Sequence, residues 1–212
     1  MKHIYELIDV SKSYADHVIL DNLNMKICEG EMVAITGKSG SGKTTILNIM
    51  GMLENPDSGI VKLFGEESPR MGSAKANKLL RTRLSYLFQN YALIDNGTVN
   101  ENLEIPLIYS KRTKKEKKEL KIEVLEKVGL SISLNQKIHE LSGGEQQRVA
   151  IARTLLKPCE LILADEPTGS LDDENRNEII RILEGLNKEG KTIIIVTHDP
   201  YVANACDRII DL

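Results

Sequence analysis

A glycine- and serine-rich run between an apolar strand and a helical pattern constrains this chain more than any other feature. It reads "GKSGSGKTT" over 37–45 and directly follows "MVAIT". Gly37, Lys38, Ser39, Gly40, Ser41, Gly42, Lys43 and Thr44 match G-x-x-x-x-G-K-[ST] throughout. Glycines let successive backbone N–H groups curl inward around an anion. A helix opening at Lys43 adds about half a positive charge at its N-terminus. Lys43 can span the β- and γ-phosphates of a nucleotide, the Thr44 hydroxyl can ligate Mg²⁺, and Thr45 adjoins both. The loop predicts nucleotide binding.

The rest of the chain reads as an α/β architecture around that loop. "MVAITG" (32–37), "LSYLF" (84–88), "LILAD" (161–165), "TIIIVT" (192–197) and "RIIDL" (208–212) are nearly unbroken apolar runs, as suits core strands of a mainly parallel sheet covered on both faces. "IYELIDV" (4–10) is more polar and reads as an edge-like strand. With "NLNMKICEG" (22–30) it predicts an antiparallel lobe turning at Ala15–His17. The helix from Lys43 places Ile46, Leu47, Met50 and Leu53 on one face and stops at "NPDSG". Residues 98–157 carry helical periods without a convincing strand. The expected organisation over 1–212 is one domain: a core plus β lobe from 1–89 and 158–212, and an inserted helical subdomain at 90–157.

Two further stretches carry chemistry. "LILADEP" (161–167) ends an apolar strand in two acids. Strand alternation would send their side chains to opposite sides, Asp165 toward Mg²⁺ and Glu166 toward an attacking water as general base. "LSGGEQQR" (141–148) opens a second helix. Ser142 and Glu145 form a capping box, and Val149, Ala152, Leu155 and Leu156 make an apolar stripe ending at Pro158. A cap does not need Gly143 and Gly144, which each cost up to about 1 kcal/mol in a helix. Their missing side chains leave first-turn N–H groups open to a bulky anion. Either both helix starts grip one nucleotide, or the second serves the nucleotide of another copy.

The phosphate loop, "LILADEP" and "LSGGEQQR" together resemble the ATP-binding subunit of an ABC transporter over nearly the whole chain. The resemblance implies a P-loop NTPase fold with the lobe and helical subdomain above, ATP and Mg²⁺ as ligands, and ATPase activity. It implies two copies head to tail, with Ser142, Gly143, Gly144 and Gln146 closing over the γ-phosphate held by the other copy. It also implies that Tyr14 stacks on adenine and that Gln89 touches Mg²⁺ or water and senses a membrane partner. His198 becomes the γ-phosphate switch, and Asp172, with Ser170 and Leu171, runs along the dimer seam. "LADEPTGSLD" and "TVNENLEIPL" resemble the lipoprotein-releasing, macrolide-exporting and antimicrobial-peptide-handling transporters. The lysine-rich 114–134 stretch resembles bacteriocin-export ATPases. "NYALIDNG" (90–97) departs from the apolar pattern of many relatives and leaves the permease's identity open.

Composition narrows the alternatives. The net charge is −3 over 212 residues and the pI is near 5.9, which gives no field favouring nucleic acid. Cys28, Cys159 and Cys206 form no CxxC, as a reduced compartment would suit. The first ten residues carry Glu6 and Asp9 and lack a signal-peptide core, and no apolar run reaches the roughly 18–20 residues that span a bilayer. The expectation is a cytoplasmic subunit, peripheral on the inner face of the membrane, working through a separate permease. A non-transport ABC-type ATPase in cofactor assembly or cell division stays open. "KRTKKEKKELK" (111–121) reads as a solvated helix start with internal charge pairs.

Overall fold

In the computed structural model, which describes residues 2–212, local sequence signals build two sheets. β1 (His3–Tyr14) and β2 (His17–Cys28) form a hairpin, and β3 (Met32–Thr36) feeds the glycine loop and α1 (Lys43–Met50). β4 (Ser58–Leu63), β5 (Glu66–Glu67), α2 (Ala74–Thr82) and β6 (Leu84–Leu87) follow. Next come α3 (Val99–Glu104), α4 (Lys114–Lys127) and α5 (Gly143–Leu155). The chain then alternates through β7 (Leu161–Asp165), α6 (Asp173–Lys188), β8 (Thr192–Val196), α7 (Pro200–Asn204) and β9 (Arg208–Asp211).

The larger sheet has the order β6-β7-β8-β3-β9, and every pairing in it is parallel. β7 and β8 are buried along their whole length, and each such Val, Leu or Ile side chain stabilises the fold by roughly 1.5–3 kcal/mol. One face packs under α3, α4 and α5 through Val99, Leu125, Val149 and Ile162, and the other packs on α1 and the small sheet through Ile46, Ile35 and Leu163. Because β7, β8 and β3 are neighbours, their C-terminal ends converge, and ligands of open α/β sheets bind at such ends. The helices of the inserted segment start from reciprocal capping boxes, at Thr98–Glu101, Thr113–Glu116 and Ser142–Glu145. Each N-cap contributes about 1 kcal/mol.

Several expectations need correction. β1 is not an edge strand: the antiparallel sheet runs β2-β1-β4-β5, so β1 pairs on both sides. Its polar look comes from pairing within a lobe whose outer face is wet. β9 was expected in the core but pairs only with β3, and Ile209 is 46% exposed. β4, β5 and α2 occupy a stretch in which no element was expected, although Ser73 caps α2 and Ala76, Leu79 and Leu80 repeat at helical spacing toward the core. The basic stretch is not wholly solvated. Lys121 is buried, donating to Glu104 at 2.5 Å and the Asn100 Oδ1 at 2.8 Å, while Lys117 reaches Glu104 at 2.7 Å.

Gly59 shows how tightly β1 and β4 are joined. The register shifts between Ile8 and Ser11, and Gly59 sits there at φ +89°. A Cβ would lie 2.4 Å from the Asp9 carbonyl oxygen, a backbone atom that cannot swing aside. Gly59→Ala should therefore destabilise by about 3 kcal/mol, seen as a fall of roughly 6–12 °C in thermal midpoint. An unchanged midpoint would mean that the bulge relaxes freely.

Candidate functional site

A cavity of about 410 Å³ opens where the strand ends converge, lined by Ser39, Gly40, Gly42, Lys43, Thr44, Thr45, Gln89, Asp165, Glu166 and His198, with Ile19 and Val196. Three strand-to-helix junctions and the turn after β6 thus deliver the expected cluster. Gly42 is the N-cap of α1 at φ +91°, and a Cβ there would come within 2.8 Å of Ile19 and Leu20. Glycine is required on both counts. The Lys43 ammonium donates to the carbonyls of Gly37 and Lys38, each at 2.8 Å, which arches its side chain across the loop. Ser41 Oγ is buried without a hydrogen-bond partner. Gly37, Lys38 and Ser41 shape the loop without lining the cavity.

The two acids do not point to opposite sides. Asp165 ends β7, but Glu166 leaves the strand at φ +45°, in the left-handed region. That turn breaks the alternation and brings both carboxylates to one cavity. A non-glycine residue held there costs about 1–3 kcal/mol and persists only where its surroundings fix it. Glu166 N–H donates to the Val196 carbonyl at 2.9 Å, and the Thr197 hydroxyl donates to Oε2 at 3.3 Å. Nδ1 of His198 lies 2.6 Å from Oε1, while the imidazole itself is mostly exposed. Burial, with the neighbouring Glu166 charge behind it, raises the Asp165 pKa; Thr44 and Lys43 pull the other way.

Oxygen donors suit Mg²⁺, which takes one or two protein ligands and fills its shell with phosphate oxygens and water. Thr44, Gln89 and Asp165 border one cavity, and Thr44 lowers the Asp165 pKa against the burial that raises it. These residues fit that ion.

Other expected residues fall elsewhere. Tyr14 is 45% exposed and does not line the cavity; its hydroxyl donates to both oxygens of Glu54, at 2.7 and 2.6 Å, and Lys12 lies over its ring. Ser142, Gly143, Gly144, Gln146 and Asp172 are also outside the lining. Gly143 is exposed, and a Cβ there would meet nothing closer than 3.4 Å. Gly144 has a different reason to be glycine from the one the sequence suggests: it is buried, and its Cβ would collide with Asn175 at 2.0 Å. Asp172 caps α6 by accepting from the Asn175 N–H at 2.9 Å, and its other oxygen takes the Asn175 amide at 2.9 Å. Gln146 donates to the Leu141 carbonyl at 3.0 Å.

Two residues of α5 that sequence reasoning passed over hold the loops beside the cavity. Arg153 donates to the carbonyls of Tyr91 and Ala92, which both sit at positive φ just after Gln89. Gln147 donates to the Pro167 carbonyl at 2.7 Å. Neither carries a local signal, because α5 holds other polar residues, Glu145, Gln146, Arg148 and Thr154, alongside them.

The sign of the Asp165 effect gives a prediction. An acid whose pKa is raised by folding penalises the folded state once pH exceeds its ordinary value, and the penalty is complete above its folded pKa. At neutral pH Asp165→Asn should therefore raise the thermal midpoint of the ligand-free protein, with the gain shrinking as pH falls toward the ordinary carboxylate range. A lowered midpoint at pH 7 would contradict this reading of the site.

Comparison with known proteins places this arrangement. Residues 20–169 match the family model described as "ABC transporter". The "Macrolide export ATP-binding/permease protein MacB" of Shewanella sp. (strain ANA-3) is 41% identical over 97% of the chain, which spans 32% of that relative. A MacB protein of Acinetobacter baylyi is 44% identical over 92% of the chain and 29% of its own length. The chain thus spans about a third of the length of the curated relatives it matches. Among solved structures, the ATP-binding cassette MJ0796, a post-hydrolysis dimer bound to ADP and phosphate, is 39% identical with a TM-score of 0.90, over 98% of this chain and 94% of that one. cbiO1 from Clostridium perfringens, part of a transporter complex, has a TM-score of 0.88 at 29% identity, over 100% and 85%. The match covers the loop, both acids and Ser142–Gly144, and the chain belongs to the ABC transporter family, as an ATPase cassette.

Proposed function

We propose that two copies of this chain bind ATP with Mg²⁺ head to tail and drive an export permease in the membrane. One observation carries the proposal: the exposed glycine-led start of α5 lies outside the cavity of its own chain. An anion-binding helix end that lies outside its own chain's cavity suits the γ-phosphate held by a partner copy. Lys43 and the loop amides cradle the phosphates, and bound Mg²⁺ would supply charge neutralisation. Glu166 takes a proton from water as that oxygen forms its bond to the γ-phosphorus; the bond to the β-phosphate oxygen breaks, leaving ADP and phosphate. His198, against Oε1, holds the carboxylate in place.

The permease reading rests on a second surface. An apolar groove of about 890 Å³ runs between α2 and the inserted helices, bordered by Leu80, Tyr86, Ile105, Ile108 and Tyr109. Ile108 is 60% and Tyr109 77% exposed, an apolar display suited to a short helix of a membrane partner. No helix among the described residues is long and apolar enough to cross a membrane itself. The likeness to macrolide-export proteins supports export of a macrolide-like substrate, handled by the permease.

Glu166→Gln tests both halves. Turnover should fall a hundredfold or more, the worth of a general base, with ATP affinity retained. Light scattering should show a dimer with ATP and Mg²⁺ and a monomer without nucleotide. A monomer in both conditions would contradict the trans arrangement, and near-normal turnover would remove Glu166 from its role.

A further inference from the structure

We propose that Gln147 is a positioning residue for Glu166, linking the glycine-led end of α5 to the catalytic turn. The inference rests on the assignment of Glu166 above and adds a residue to it. Gln147 sits one helical turn beyond Gly143 and is 1% exposed. Its amide donates to the carbonyl of Pro167 at 2.7 Å, the residue that follows Glu166. Pro167 is buried, so its carbonyl depends on a protein donor, and Gln147 supplies it. The same turn closes through Gly169 N–H to the Glu166 carbonyl at 3.2 Å.

Two features separate this from ordinary packing. Glu166 stands at φ +45°, a conformation that relaxes unless the following peptide is held. The Gln147 bond holds the next peptide, Pro167–Thr168, from a different element, while the Gly169 N–H holds the Glu166 carbonyl. The other end of the Gln147 amide, Oε1, is buried with no hydrogen-bond partner. A methionine of similar length would remove that unpaired oxygen but leave the buried Pro167 carbonyl without its donor, so the amide is held here by its N–H alone. The residue is therefore suited to what its N–H does. An anion that settles on the Gly143 amides pulls on a rigid helix whose next turn grips the catalytic loop. Geometry alone thus connects the second helix start to the orientation of the carboxylate.

The test compares Gln147→Met, Gln147→Asn and the parent for thermal midpoint, kcat and KM for ATP. Methionine fills the space without donating, and asparagine keeps an amide too short to reach. Both variants leave the Pro167 carbonyl without its donor, so both midpoints should fall, and further for Asn, which also leaves its own amide unpaired. In both, kcat should fall roughly tenfold or more while KM stays within about twofold. A kcat within about twofold of the parent in either folded variant would overturn the inference, as would KM changing in step with kcat. In a Glu166→Gln background, single-turnover hydrolysis should lose less than about twofold on adding Gln147→Met, because the carboxylate it positions is gone. A full additional tenfold loss there would show Gln147 acting independently and would also overturn it. If Glu166→Gln itself turns over at the parental rate, the assignment of Glu166 fails. If it is slow while both Gln147 variants keep the parental rate, only the positioning role fails.

Discussion

The packing of Asn175 against Gly144 is the contact on which the arrangement depends. A Cβ at Gly144 would stand 2.0 Å from the Asn175 Oδ1 and 3.1 Å from its Cβ, so a side chain there would push the Asn175 amide off its place on Asp172. Asp172 orients that asparagine by accepting from its amide, and Arg148, one turn along α5, pairs with Glu178 on α6. The helix start is locked from behind at Gly144 and left open at Gly143. Glycines weaken a helix by up to about 1 kcal/mol each, and the Ser142–Glu145 capping box offsets a similar amount. The result is a fixed N-terminus with free amides, which a flexible glycine turn would not provide.

At the cavity the protein keeps charge and strain that its fold alone does not need. Asp165 is buried beside Glu166, and Glu166 occupies a left-handed conformation. Both choices cost stability without ligand and suit a site that meets a cation and several phosphates. Neighbouring elements bear that cost. β7 and β8 are completely buried, Val196 and Thr197 hold Glu166, and α5 holds the turns on either side through Gln147 and Arg153. One helix thus connects the exposed Gly143 end of α5, the turn carrying Glu166 and the turn following Gln89. In the proposed dimer, closure at one end of that helix is felt at both loops.

What the sequence disclosed followed from locality. The phosphate loop, the Asp165 strand end and the Ser142 capping box are set by residues a few positions apart, and their type and spacing suffice to read them. The parallel core was legible because β3, β7 and β8 are covered on both faces and so carry unbroken apolar runs. Features that depend on distant partners were not. Gly144 reads as an opening for a ligand until Asn175 is placed against it, and strand periodicity separates Asp165 from Glu166 until the positive φ brings them together. β1 looks like an edge until β4 pairs with it. Gln147 carries no local signal, since its meaning lies in a carbonyl across the interface between α5 and the Glu166 turn.

The claim that a triphosphate is shared between two copies is tested most directly by a crystal structure of Glu166→Gln loaded with ATP and Mg²⁺. The account predicts the Gly143 amide and Ser142 hydroxyl facing the γ-phosphate of the nucleotide seated on the partner's Lys43 loop. Those groups turned to solvent, or closed over the nucleotide of their own chain, would contradict it.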